Sequence, residues 1–277
     1  AYSKRMVEMC DYHGIKYVVY EEDYAHVPDP AIVEDVLKSD GNITHISMVH
    51  SETTSGLLND IAAIGELAKK YNKKFIVDAM SSFGGIDINV PELGITYLVS
   101  SANKCIQGVP GFSFIIANVN DLKQTKGIAR SLSLDLYAQW ETMEKDGGKW
   151  RFTSPTHVVA AFSQALKELE AEGGITARNA RYTATNRALR KGMEELGFKA
   201  YIDEAHQGPI ITTFFYPENC KFTFAKMYAY LKDHGYVIYP GKLTDAETFR
   251  LGNIGEIYMD DVEKILGIFK DFVSAKN

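Results

Sequence analysis

Three polar positions recur at regular intervals in the first half of the chain. Thr53 lies in the hydroxyl-rich turn His50-Ser51-Glu52-Thr53-Thr54-Ser55-Gly56, Asp78 closes the apolar run Phe75-Ile76-Val77-Asp78-Ala79, and Lys104 sits among small residues in Ser101-Ala102-Asn103-Lys104-Cys105. The intervals are 78 − 53 = 25 and 104 − 78 = 26 residues. Each is about the length of one helix-plus-strand unit, so all three should return to the same edge of a parallel sheet. Singly, each has an ordinary explanation: an Asp that caps the next turn, a solvated surface lysine, a polar turn.

Together they divide the labour of one kind of chemistry. A carboxylate can keep a pyridine nitrogen protonated, a partly neutral lysine can form an imine, and a hydroxyl can hydrogen-bond the ring's 3′-oxygen. That is what a pyridoxal 5'-phosphate (PLP) site requires of a protein. Burial beside other cations is what keeps such a lysine reactive.

The elements that must position these residues are legible from periodicity. Ile15 to Tyr20, Ile43 to Val49, Lys73 to Ala79, Thr96 to Ser101 and Gly111 to Ala117 read as strands, with amphipathic helices over Pro30 to Lys38 and Ile61 to Tyr71. This alternation predicts an α/β fold with a mostly parallel sheet and flanking helices, whose ligands bind beyond the carboxyl ends of the strands. After Pro155 the pattern changes. A helix from about Val158 to Glu172 stops at Gly173-Gly174. It is followed by helices over about Ala177 to Leu196, Phe224 to His234 and Asp260 to Ala275, and strands over Lys199 to Ile202, Ile210 to Tyr216, Val237 to Tyr239 and Thr248 to Leu251. The expected division is a large domain over 1–157, then a connecting helix and a smaller C-terminal α+β domain over 158–277.

At 277 residues the chain is long enough for two lobes, and 45% hydrophobic with 24% charged residues is ordinary for a folded protein. A net charge of -6 with no dense Lys/Arg run argues against nucleic-acid binding. No apolar run approaches the ~20 residues that span a bilayer, and no secretory leader pattern is present. Three dispersed cysteines, Cys10, Cys105 and Cys220, fit reduced thiols in a cytoplasmic protein, and neither they nor the seven histidines have metal-ligand spacing.

Long blocks carry a more specific signal: MVHSETTSGLLN (48–59), FIVDAMSSFGGI (75–86), SSANKCIQGVPGFSF (100–114), SLSLDLYAQW (131–140), GKWRFTSPTH (148–157) and FRLGNIGEIY (249–258). Through them the chain resembles the class V, fold-type I PLP-dependent aminotransferases along its whole length. The resemblance implies Lys104 as the imine-forming lysine, Asp78 on the pyridine nitrogen, Thr53 near the 3′-oxygen and Asn103 reaching toward the cofactor phosphate. It also implies that Thr153 contacts that phosphate from the neighbouring subunit of a homodimer with shared active sites. An N-cap role for Thr153 is compatible with this. Arg250 matches the family's anion-binding arginine, whose fork holds a carboxylate or phosphonate bidentately; the bland alternative is a surface arginine in an ion pair. The implied reaction is ping-pong transfer of an amino group between 2-aminoethylphosphonate and pyruvate, giving phosphonoacetaldehyde and alanine.

The resemblance implies further that the family's N-terminal segment, with its main phosphate loop and the aromatic ring that stacks on the cofactor, lies upstream of Ala1. These 277 residues alone are therefore expected to bind PLP weakly or not at all. Rival readings are a serine or alanine:glyoxylate aminotransferase of the same class, a cysteine desulfurase using Cys220, and a non-catalytic scaffold. The intact pair of Asp78 and Lys104 argues against the last.

Overall fold

The computed structural model describes residues 2–218, 222–241, 243 and 247–275. Its first half runs α1 (Tyr2–His13), α2 (Pro30–Ser39), β1 (His45–Val49), β2 (Ser51–Glu52), β3 (Leu57–Leu58), α3 (Ile61–Lys70), β4 (Lys74–Asp78), β5 (Tyr97–Ser101), β6 (Ser113–Ala117), α4 (Val119–Lys123) and α5 (Leu136–Lys145). The second half runs α6 (Thr156–Glu172), α7 (Gly174–Glu195), β7 (Ile211–Phe215), α8 (Phe224–Asp233), β8 (Tyr239–Pro240), β9 (Thr248–Gly252) and α9 (Met259–Ser274).

The main sheet has the order β1-β4-β5-β6. β1, β4 and β5 are mutually parallel, with Val49 opposite Asp78 and Asp78 opposite Val99, whereas β6 returns antiparallel to β5. The local chemistry explains the helix that returns the chain to this sheet. Asp60 caps α3 by accepting the amides of Ala62 and Ala63, which would otherwise lack intrahelical partners. α3 then lays Ile61, Ile64 and Ala68 on Phe75 and Val77 of β4 and Leu98 of β5. A second apolar core lies in the C-terminal half. There Leu189 and Met193 of α7 meet Phe214 of β7, Phe249 and Leu251 of β9, Met227 and Leu231 of α8, and Phe269 and Phe272 of α9. The sheet on this side is antiparallel, in the order β7-β9-β8.

Most expected elements form within a few residues of their predicted bounds, but three strands differ. Ile15 to Tyr20 is not a strand. It pairs with no neighbour among the described residues, and Ile15, Tyr17, Val18 and Val19 remain 45 to 60% exposed. β-branched composition favours a paired, half-buried surface, and without a ladder partner it does not make a strand. Lys199 to Ile202 runs beside β7 through two backbone bonds, Tyr201 N–H to Thr213 and Phe215 N–H to Lys199, with a single bridge between Ala200 and Phe214. The strand expected over Val237 to Tyr239 is displaced to Tyr239–Pro240, where β9 offers pairing. Helices α1, α4 and α5 had not been read from the sequence. No helix among the described residues is long and apolar enough to cross a membrane.

Close approach in the first core sets a test of sign. Gly65 lies inside α3, where Gly→Ala normally gains about 1 kcal/mol of helix propensity. Here an added Cβ would run into the Leu93 carbonyl, with the carbonyl carbon 3.2 Å away. Overpacking of this kind typically costs about 1–3 kcal/mol. Gly65→Ala should therefore lower the urea midpoint, and a raised midpoint would refute the packing argument.

Candidate active site

Asp78 and Lys104 follow neighbouring parallel strands, and the loops that carry them are stitched together. Ser100 Oγ donates to the Ala79 carbonyl at 3.2 Å, Ser101 Oγ to Met80 at 3.4 Å, and Cys105 Sγ to Ser81 at 3.1 Å. Small side chains allow this approach: a Cβ on Gly85 would lie 2.6 Å from Cys105 Sγ, and one on Gly84 2.6 Å from Ile106 Cγ1. Lys104 is half-buried, and its side-chain amine forms no hydrogen bond or ion pair among the described residues. With Asn103 it lines a cavity of about 370 Å³ that also takes in Gln107, Gly108, Glu168, Ile254, Gly255 and Glu256. Asp78 does not line that cavity. Its Oδ1 accepts the Met80 N–H at 2.9 Å, so the turn-capping role is present.

The hydroxyl turn and Arg250 do not line that cavity either. His50 N–H donates to the Asp78 carbonyl at 2.9 Å, which ties the turn to the strand end. Thr53 and Arg250, 197 residues apart, are in direct contact: Arg250 Nη1 donates to the Thr53 carbonyl at 3.1 Å, and Nε donates to Pro240 at 3.2 Å. Thr213 Oγ1 donates to the neighbouring Thr54 carbonyl. Arg250 is only 7% exposed and has no carboxylate partner within ion-pair distance among the described residues, so the surface ion-pair alternative fails. Thr153 is exposed and lies outside the Lys104 cavity of its own chain. It does not cap α6 either, because the cap position is Pro155 and no side chain bonds there. Cys220 lies outside the described residues.

Electrostatically the site is short of countercharges. Burial pushes the Asp78 carboxyl above the usual aspartate range; the Met80 N–H pulls it back, and the field of Glu52 adds to the rise. No cation among the described residues pairs with it. Burial also lowers the Arg250 guanidinium. The hydroxyls of Ser51, Thr54 and Ser55 are buried without a hydrogen-bond partner among the described residues.

Sequence reasoning missed Gln107 and Tyr182. Gln107 sits at a φ of 66°, unusual for a side chain larger than glycine. Its Nε2 donates at 2.8 Å to the buried Tyr182 hydroxyl, and that hydroxyl also accepts the Gly255 N–H at 3.3 Å. No motif marks this pair. The one available signal was an aromatic among polar residues in a long helix.

The sequence profile of the class V aminotransferases matches residues 3–244. The chain belongs to that family. It is 56% identical over 274 residues to a bifunctional phosphonoacetaldehyde hydrolase/aminoethylphosphonate transaminase of Clostridioides difficile, covering 99% of this chain and 43% of that protein. It is 53% identical over 277 residues to a 2-aminoethylphosphonate–pyruvate transaminase of Lysinibacillus sphaericus, covering 100% of this chain and 75% of the other. In fold it is similar to the ureidoglycine-glyoxylate aminotransferase of Bacillus subtilis, with a TM-score of 0.88 at 21% identity over 100% of this chain and 72% of that one. The family's cofactor is PLP. The residues fit it: a half-buried carboxylate without a cation, a lysine without an anion, and buried hydroxyls without partners are a set that such a group would satisfy.

His50 follows β1 with its ring Nδ1 2.9 Å from Ser82 Oγ, and burial holds its imidazole down to about 4 from 6.5. The unfolded chain then binds more protons between those values, so His50 lowers stability progressively as the pH falls from 6.5 toward 4, by at most about 3 kcal/mol. His50→Gln should flatten this part of the urea-midpoint profile relative to the parent. An unchanged slope would show that His50 does not carry it.

Proposed function

We propose that the protein is a 2-aminoethylphosphonate:pyruvate aminotransferase, exchanging the amino group of 2-aminoethylphosphonate for the keto oxygen of pyruvate by a ping-pong cycle. The identity of 53% over all 277 residues to a transaminase of that specificity is the observation that carries this reading. The alternative of a glyoxylate-using enzyme draws on neighbours such as the one at 21% identity, a level at which the fold is shared and specificity is not.

PLP, when bound, supplies an electron-poor ring that draws electron density from the substrate carbon next to the nitrogen. The remaining steps belong to the chain's own groups. Asp78 would hold the ring nitrogen and keep it protonated, a role supported by its burial and by the lack of a paired cation among the described residues. Lys104 would hold the cofactor through its amine, and the same amine, when free, would take up and return the substrate carbon's proton as general base and acid. Thr53 directs its hydroxyl to the 3′-oxygen, and Asn103 reaches the phosphate. Arg250 binds the substrate anion. Its Nε and Nη1 are committed to backbone carbonyls, and Nη2 has no protein acceptor among the described residues, which leaves that edge of the fork for a phosphonate or carboxylate oxygen.

Thr153 is assigned to the partner subunit's cofactor phosphate in a homodimer, and its exposure outside its own cavity supports that placement. The same reading takes 1–157 as the cofactor-binding domain and 158–277 as joint helix and smaller domain, supported by the two apolar cores. A cytoplasmic enzyme is favoured by the three dispersed cysteines.

Alanine formation from pyruvate, measured on the full-length protein with 2-aminoethylphosphonate, serine and alanine as donors and with glyoxylate as competing acceptor, tests the specificity. A preference for glyoxylate would replace the reading. Lys104→Ala should lower turnover by about 10³-fold or more. Arg250→Lys should raise KM for both anionic substrates about tenfold with a smaller change in kcat, and an unchanged KM would remove Arg250 from the substrate site.

A further inference from the structure

One face of α7 reaches the three segments that follow Asp78, Lys104 and Arg250. Asn179 Nδ2 donates to the Gly85 carbonyl at 2.7 Å, on the loop that follows Asp78. Arg178 is 1% exposed, and its Nη1 donates to the carbonyls of Cys105 at 2.9 Å and Ile106 at 3.3 Å, the two residues after Lys104. Arg181 Nη1 donates to Gly255 at 2.7 Å and Ile257 at 3.1 Å, on the segment that follows Arg250. The two guanidiniums share one carboxylate: Arg178 Nε and Nη2 lie 2.8 and 2.6 Å from Glu172 Oε2, and Arg181 Nε lies 2.8 Å from Oε1.

We propose that Arg178 is a positioning residue for the reaction. Its guanidinium fixes the backbone immediately after Lys104 and, through Glu172 and Arg181, couples the Lys104 loop to the segment that follows the anion-binding Arg250. The inference rests on Lys104 being the cofactor lysine. Both of Arg178's backbone acceptors lie within two residues of Lys104, so a shift of the carbonyls moves the amine with them. The Lys104 side chain makes no hydrogen bond among the described residues; the loop's own tie at this point is the Gln107 N–H to the Lys104 carbonyl at 2.8 Å. Displacing a reacting group by about 1 Å can cost on the order of 10²-fold in rate. The planar fork matters because three edges are used at once: Nη1 toward the loop, Nε and Nη2 toward Glu172. A lysine in its place keeps the charge and loses that geometry. Tyr182, one turn along the helix, makes a parallel link through Gln107 and Gly255.

A purely structural role would lower stability and leave the chemistry of the bound cofactor untouched, so the test separates the two. In the full-length holoenzyme, Arg178→Lys should retain cofactor and hold KM for both substrates within about twofold, while kcat falls roughly ten- to a hundredfold. The midpoint of the bound cofactor's absorbance titration with pH should move by about half a unit or more. Tyr182→Phe, which removes one hydroxyl at constant shape, should shift kcat and the titration midpoint in the same direction by less, and it decides the matter if Arg178→Lys does not fold. The inference is overturned if both measures stay at wild-type values in the folded variants, or if the only change is a lower thermal midpoint. A wild-type protein with no titrating cofactor band, or full turnover in Lys104→Ala, would overturn the reading of Lys104 and this inference with it. A normal wild-type titration with unmoved variants would sink this inference alone.

Discussion

The carboxylate of Glu172, held between two guanidiniums at the junction of α6 and α7, is the reference point from which the site is built. Burial alone would raise this carboxyl, but hydrogen bonds and charge from Arg181 and Arg178 outweigh that and hold it below the usual range. It is therefore ionised wherever the enzyme would work. The arrangement answers an accounting problem. The loops that end the strands leave the carbonyls of Cys105, Ile106, Gly255 and Ile257 without ladder partners; the first two belong to buried residues, and buried carbonyls need donors. Apolar packing could fill the same volume and would deprive the Cys105 and Ile106 carbonyls of their Arg178 donor, at about 1–3 kcal/mol each.

α7 serves two environments along its length. Arg178, Asn179, Arg181 and Tyr182 in its first half and Asn186 just past its middle are spent on loop groups, on Thr212 and on Asn253; Asn253 in turn donates to Tyr182, Thr185 and Pro209. Its second half carries Leu189 and Met193 into the C-terminal core. A helical repeat near 3.6 residues puts 178, 182, 185, 189 and 193 on one side, so one rigid element connects the polar junction to the apolar core. Such polar networks hold a geometry only when every member is satisfied, and the two guanidiniums here come close to that.

The sequence was most legible where one physical signal dominates. Alternation of apolar runs located β1, β4, β5 and β9, the paired glycines ended α6, and the intervals between Thr53, Asp78 and Lys104 placed Asp78 and Lys104 on neighbouring strand ends. Ile15 to Tyr20 was misread because its side chains favour a strand while pairing is a property of a neighbour, which composition does not report. Likewise, nothing local distinguishes Arg178 from the surface arginines of an ordinary helix. Its acceptors are 72 and 73 residues away in sequence, and only the fold brings them within reach. Arg250 shows the converse: a surface position was the plain reading of its residue type, and the contact with Thr53 across 197 residues reverses it.

The junction at Gly173 and Gly174, with φ of 107° and 77°, joins α6 to α7 through Gly173 alone. The phase of α7 is thus locked to that of α6, and Glu172 and Arg178 meet because exactly five residues separate them. One amino acid added at this hinge would rotate the following helix by about 100°, swinging its gripping face away from all three loops in a single step. Natural length variation should consequently be tolerated in the surface connections of this protein and be absent here.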